Sequence, residues 1–340
     1  MHLTLKRTLA LTLAMLTGLG LLTACGSQGG NTASNTDPVQ TGTSPETKGG
    51  LKILTIGHSL AVDSCHMLAL IAKTEGYEDM TVGTLYYSGC QIFRHIEFMK
   101  NESREYELFM SSTETPNDIP TMISSITLKE AVAYKDWDII VLQDGPFQSC
   151  YDEYFTNGDI QTLQTFVNEN KTNPNAVFAW HMPWALPTDL DLAAGSPYFE
   201  RYEANFGLER IKLYEAYTDC AERFILTDDT FRYLIPTATA MQNALTSYLT
   251  EKDLHRDYSH ASDLGRVIAA YVWYCTLTGV EELQQIKLDT VPKNFFRSLK
   301  LTTDWVLTEE EKALILETVN NTLKQPLKVT PSQYTQAPEK

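Results

Sequence analysis

The chain has 340 residues, with 27 Lys and Arg against 43 Asp and Glu, for a formal net charge of −16 at neutral pH. Apolar side chains make up 43% and charged ones only 21%, so the sequence can fill a large core and lacks the composition of a disordered chain. Acidic excess spread along the whole length excludes a phosphate-binding surface, which needs clustered Lys and Arg, and with it a nucleic-acid partner.

Lys6 and Arg7 precede an apolar and small-residue run from Thr8 to Thr23. The run is shorter than the ~20 residues that span a bilayer, and its charge placement is that of an export signal. It closes in Leu22-Thr23-Ala24-Cys25-Gly26, which resembles the lipobox of bacterial lipoproteins. That resemblance implies acylation of Cys25 and cleavage just before it. Residues 1–24 are therefore expected to be a signal peptide, and the mature chain a lipid-anchored protein on the extracytoplasmic face of the cell membrane. Residues 25–50 are mostly Gly, Ser, Thr, Asn, Gln and Pro, which bury too little to offset ordering, and are expected to form a flexible tether.

A single domain is expected over residues 51–325. Leu51–Gly57 is a short aliphatic and β-branched run, followed by Met67, Leu70 and Ile71 at helical spacing before Gly76. Further strands are predicted at Met80–Tyr87, Asp138–Gln143, Ala176–Trp180 and Phe231–Ile235. Helical patterns fall at Gln161–Asn168, Tyr202–Ala221, Thr239–Leu249 and Leu264–Leu277. Strands and helices alternating in this way predict a parallel five-stranded sheet covered on both faces, a three-layer α/β/α domain. Residues 101–127 fit the alternation poorly and read as an insertion. Thr308 and Glu311 form a capping box ahead of a helix with Ile315, Val319 and Leu323 on one face. Residues 326–340, with Pro326, Pro331 and Pro338, read as a polar tail. Besides Cys25, the five cysteines Cys65, Cys90, Cys150, Cys220 and Cys275 show no CxxC and no regular spacing, so neither a zinc site nor a disulfide framework is legible.

Two short blocks carry the chemistry. Gly57-His58-Ser59-Leu60 follows the first strand, where an open parallel sheet exposes its turns to ligand; taken alone, a Ser there is more often a helix N-cap than a nucleophile. Arg256-Asp257-Tyr258-Ser259-His260 sets an Asp three residues before a His, so one loop can present a base and the carboxylate that orients it. In order and context these blocks resemble those of the SGNH hydrolases, or GDSL-type esterases, in a branch known as a domain of unknown function. The resemblance implies a flavodoxin-like fold, a Ser59, His260 and Asp257 triad, and an oxyanion hole made by the Ser59 and Gly89 N–H groups with the Gln143 side chain. Tyr87-Ser88-Gly89-Cys90 supplies the Gly block, and Gln143 stands where the wider family has Asn. His58 replaces the usual Asp or Asn and is expected to hydrogen-bond its surroundings rather than bind metal; no metal or cofactor is expected. The Gly-His-Ser-x-Gly elbow of α/β-hydrolase lipases does not fit, because Ala61 replaces its second Gly and only signal and tether precede the strand.

Phe147 lies on the loop after Gln143, and His181 and Trp184 on the loop after the fourth strand; the two aromatics are candidate substrate contacts or core, and His181 is a substrate contact or, equally, a surface-loop residue. The resemblance implies an extracellular serine esterase that removes acetyl or other small acyl groups from a carbohydrate or other small ester. The alternative is a lipid-tethered carbohydrate-binding protein without turnover.

Overall fold

Seven strands build the central sheet of the structure, a computed structural model that describes residues 50–295 and 303–337. The signal peptide, Cys25, the tether up to residue 49 and the last three residues lie outside the described residues. The strands are β1 (Leu51–Gly57), β2 (Met80–Tyr86), β3 (Tyr106–Ser112), β4 (Thr121–Ile126), β5 (Ile139–Leu142), β6 (Val177–His181) and β7 (Phe231–Ile235), in the order β4-β3-β2-β1-β5-β6-β7. All five expected strands form, and they pair in parallel as β2-β1-β5-β6-β7, the flavodoxin-like order 2-1-3-4-5 when only these are counted. Seven strands rather than five is a correction. The supposed insertion supplies β3 and β4, which extend the sheet antiparallel from the edge of β2. Most β4 side chains face solvent, so this hairpin carries little of the apolar signal that marks a buried strand.

Period-two alternation divides the buried strands between two cores. Ile53, Val141, Ala179 and Ile235 enter one hydrophobic cluster, while Leu54, Ile56, Leu142, Trp180 and Leu234 enter the other. Helices α1 (Ser59–Cys65) and α2 (Leu68–Glu75) cover the first face. On the second lie α3 (Ile92–Lys100), α4 (Leu128–Val132), α5 (Asp152–Thr156) and α6 (Asp159–Asn170). After the short α7 (Leu190–Ala193), α8 (Phe199–Phe206) and α9 (Arg210–Cys220) complete that face. The chain then returns to the first face with α10 (Thr237–Ala244), α11 (Glu251–Leu254), α12 (Asp263–Thr278) and α13 (Glu309–Lys324).

Two helical expectations change. The single helix read over Tyr202–Ala221 is two, because Gly207 and Leu208 take left-handed φ values of 61° and 54° and end α8. Residues 326–337, read as a polar tail, run across α10: Thr330 N–H donates to Asn243 Oδ1 (2.7 Å) and Tyr248 N–H to the Tyr334 carbonyl (2.9 Å). With α1, α2, α10 and α13 packed about it, α12 is buried nearly all round, as its Val267, Ile268, Tyr271, Val272 and Trp273 require.

Candidate active site

Gly57 at the end of β1 pairs with Tyr86 of β2, and Ile56 with Leu142 of β5. The segments leaving these three strands therefore share the carboxyl rim of the sheet, where open α/β sheets bind ligands. His58 is the extended N-cap of α1. Its Nδ1 accepts from the Leu60 N–H (3.4 Å) and its Nε2–H donates to the Asp144 carbonyl (3.4 Å). Burial pushes the His58 imidazole down to about 4, against the pull of that carbonyl, so the ring is neutral. Ser59 is then the first residue of α1, with an N–H that has no acceptor within the helix.

Ser59 Oγ–H donates to His260 Nε2 (2.8 Å), and His260 Nδ1–H donates to Asp257 Oδ2 (2.8 Å). The Asp257 Oδ1 also accepts from the N–H groups of Ser259 and His260, each at 2.9 Å. Burial alone would raise the Asp257 carboxyl, but the His260 ring and these two N–H groups outweigh it and hold the carboxyl well below the usual range. The ionised carboxylate fixes the tautomer in which Nε2 is the acceptor. A hydroxyl, a base and an anchoring carboxylate in one hydrogen-bonded line can deliver an activated alkoxide to a carbonyl carbon.

Two residues that sequence reading missed hold this line in place. Asp63, one turn after Ser59 on the same face of α1, is 1% exposed and accepts both Arg256 Nη1–H (2.9 Å to Oδ2) and the Ala261 N–H (3.1 Å). Helix α1 therefore carries the nucleophile and grips both ends of the loop that brings the base. The signal was there: an acidic residue inside an otherwise apolar helical face needs a buried cation. A bridge between His255 and Ala261 closes the loop, and Trp184 Nε1–H donates to the Ser259 carbonyl (2.8 Å).

Several expected roles are corrected. Gln143 is fully buried, its Oε1 accepting from the N–H groups of His58 (3.2 Å) and Ala61 (3.1 Å) and its Nε2 donating to His181 Nδ1 (2.8 Å). The amide thus braces the turn that carries Ser59 instead of facing an oxyanion. Gly57 makes room for it, since a Cβ there would lie 2.7 Å from Gln143 Oε1. His181 is fully buried too, its Nε2–H donating to Thr237 Oγ1 (3.1 Å), and burial pushes it down to about 3. Trp184 and Phe147 are core residues with no exposed surface, Phe147 packing among Tyr198, Tyr202 and Phe206. None of the three can touch substrate. The half-buried Tyr258, whose ring centroid lies 6.5 Å from that of His260, is the aromatic neighbour the triad does have.

Gly89 is exposed, with φ of 61°, in a turn closed by the Cys90 N–H to Tyr87 carbonyl bond (3.1 Å). The five cysteines within the described residues are buried free thiols, and burial pushes Cys65 and Cys90 up to about 12, so neither is a nucleophile at neutral pH. Among the described residues, Asp152, Asp219 and Cys220 approach one another as metal ligands would, but Arg223 donates to both carboxylates and occupies the place of a cation.

The family profile of a domain of unknown function, DUF4886, matches residues 52–296, which contain every residue of this site. A DUF4886 family protein from Bacteroides uniformis has a crystal structure similar to this one at 24% identity and a TM-score of 0.67, covering 84% of this chain and 100% of that one. A protein from Slackia heliotrinireducens proposed to be an SGNH hydrolase is similar at 17% identity and a TM-score of 0.42, covering 67% of this chain and 99% of its own. A catalytic mutant of Axe2, an acetylxylan esterase from Geobacillus stearothermophilus, is similar at 12% identity and a TM-score of 0.40, covering 67% and 94%. No curated protein matches the sequence.

Proposed function

Because this chain belongs to the DUF4886 family, a domain of unknown function, we propose from its site that it is an SGNH-type serine ester hydrolase using Ser59, His260 and Asp257. The observation that carries the reading is the unbroken line from Ser59 Oγ through His260 to the Asp257 carboxylate, with both ring nitrogens at 2.8 Å from their partners. Ser59 attacks the ester carbonyl while His260 Nε2 takes its proton, then returns it to the leaving alcohol; water repeats the sequence on the acyl-enzyme. The Ser59 and Gly89 N–H groups receive the charge that develops on the carbonyl oxygen. Binding without turnover gains nothing from such a line, which favours hydrolysis over the alternative reading.

The substrate class we propose is a small acyl ester on a carbohydrate, supported by the partly exposed Tyr258 ring beside His260, a face on which a sugar can stack. The lipobox-like sequence at Cys25 supports a lipid-anchored, extracytoplasmic enzyme; none of the helices of the described residues is long and apolar enough to cross a membrane.

Residues 50–340 should turn over short-chain aryl esters and label at Ser59 with a fluorophosphonate. Ser59→Ala, His260→Ala and the double variant are expected to lose similar amounts of kcat, at least 10³-fold, because each disables the same step. Full activity in Ser59→Ala, or additive losses, would overturn the mechanism.

A further inference from the structure

With Gln143 committed to the turn beneath Ser59, the rim lacks the side-chain donor that the resemblance assigned to it. Asp144, the next residue, is placed to act there. Its backbone carbonyl receives the His58 ring, and its carboxyl reaches past the end of β1 to the segment leaving β2, where Oδ1 accepts from the Ile92 N–H (3.1 Å). The same Oδ1 accepts from the Gly145 N–H (2.8 Å). The carboxyl therefore lies across the end of the central strand, between the block that carries Ser59 and the one that carries Gly89.

Both hydrogen bonds fall on one oxygen. Oδ2 makes no hydrogen bond to the described residues, and the 4% of the residue that is exposed opens at the rim. An ionised carboxylate here would hold half its charge on an oxygen that none of the described residues stabilises with an N–H or O–H, in a side chain only 4% exposed. A protonated one needs only an acceptor, and a tetrahedral intermediate brings one.

Resting on the serine esterase reading above, we infer that Asp144 is the third oxyanion donor, its carboxylic acid presenting Oδ2–H to the developing alkoxide. No proton is transferred; the acid donates in the transition state and keeps its hydrogen. The titratable groups set against it are His58 at the start of α1, Cys90 ahead of α3 and Asp159 at the start of α6, with His260 one residue further off, across Ser59. The buried His58 is neutral and Cys90 is an un-ionised thiol, and the Asp159 carboxylate opposes a second negative charge, so these three favour the acid form or leave it alone. Burial raises the Asp144 carboxyl to about 7, with the Gly145 and Ile92 N–H groups opposing. The donor is present below that pH and is lost above it.

The test is the pH dependence of kcat for a short-chain aryl ester between pH 5 and 9.5, with active sites counted by fluorophosphonate labelling. Wild type is expected to lose kcat as pH rises through about 7. Asp144→Asn keeps an acceptor for Ile92 and Gly145 and a donor that does not ionise, and should abolish that fall while retaining kcat at pH 6 within about tenfold. Asp144→Ala should lose 10²–10³-fold at pH 6 with KM little changed. An alkaline fall in Asp144→Asn identical to wild type, or an undiminished kcat in labelled Asp144→Ala, overturns the inference while the labelled, active wild type keeps the esterase reading. A wild type that neither labels nor hydrolyses overturns both.

Discussion

Three hydrogen bonds leave the Gln143 carboxamide, and their removal defines what the residue does. In Gln143→Leu the buried His58 N–H loses its acceptor and His181 Nδ1 its donor, while the Ala61 N–H keeps the His58 carbonyl (2.9 Å). At about 1–3 kcal/mol for each stranded group, the variant should lose roughly 2–6 kcal/mol of stability, with kcat per labelled site falling less than tenfold. Denaturant midpoints beside titrated kinetics check this; a stable variant with a 10²-fold loss of kcat would return Gln143 to the oxyanion hole. Sequence could locate Gln143 at the end of its strand but not choose between its two neighbours, the cleft and the underside of a turn. That choice depends on His181, from another strand, offering an acceptor 2.8 Å away. Trp184 and Phe147 were ambiguous for the same reason: a loop aromatic is exposed or buried according to what folds over it, here α12 and the triad loop for one and α8 for the other.

Helix α1 is seven residues long and does two jobs on one face, spaced by a turn. Ser59 meets His260, and Asp63 holds Arg256 and the backbone of Ala261, with Arg266 of α12 also close (3.7 Å). Asp63→Asn takes the carboxylate from the partly buried Arg256, while Arg266 keeps its pair with Asp263 (2.9 Å), so the loss of stability should fall below the about 3–5 kcal/mol of a fully buried pair. The loop from Arg256 to Ala261 would then be free to shift, so the fluorophosphonate labelling rate of Ser59 should drop at least tenfold in protein that is still folded by circular dichroism. An unchanged labelling rate would show that Trp184 and the His255–Ala261 bridge suffice. At this scale the sequence was generous where periodicity is strong. The five parallel strands and α12 could be read directly, and so could the Asp-x-x-His spacing, because a three-residue offset is local geometry. It was silent on β3 and β4, whose pairing rests on the open edge of β2 rather than on a pattern of their own.

Four buried histidines set the acid limit of the whole molecule. Burial pushes His58 and His255 down to about 4 and His95 and His181 down to about 3, against an ordinary value near 6.5. The unfolded chain therefore takes up protons below 6.5 that the folded one refuses, so the stability these groups contribute is full above 6.5 and drains as pH falls toward 4. Asp144 has the opposite sign, being raised to about 7 and losing its contribution as pH rises through that value, but it is one group against four. The urea midpoint should be clearly lower at pH 5 than at pH 7.5; a midpoint that rises on acidification would refute the balance. The triad also has a kinetic meaning. Ser59 and His260 are 201 residues apart in sequence, and Asp63 and Arg256 are 193 apart. Joining them closes a loop of about two hundred residues, the kind of contact that forms late because its entropy cost precedes any reward. A nascent or refolding chain can hold most of its sheet and still be inert, so the onset of hydrolysis marks the moment this long loop shuts.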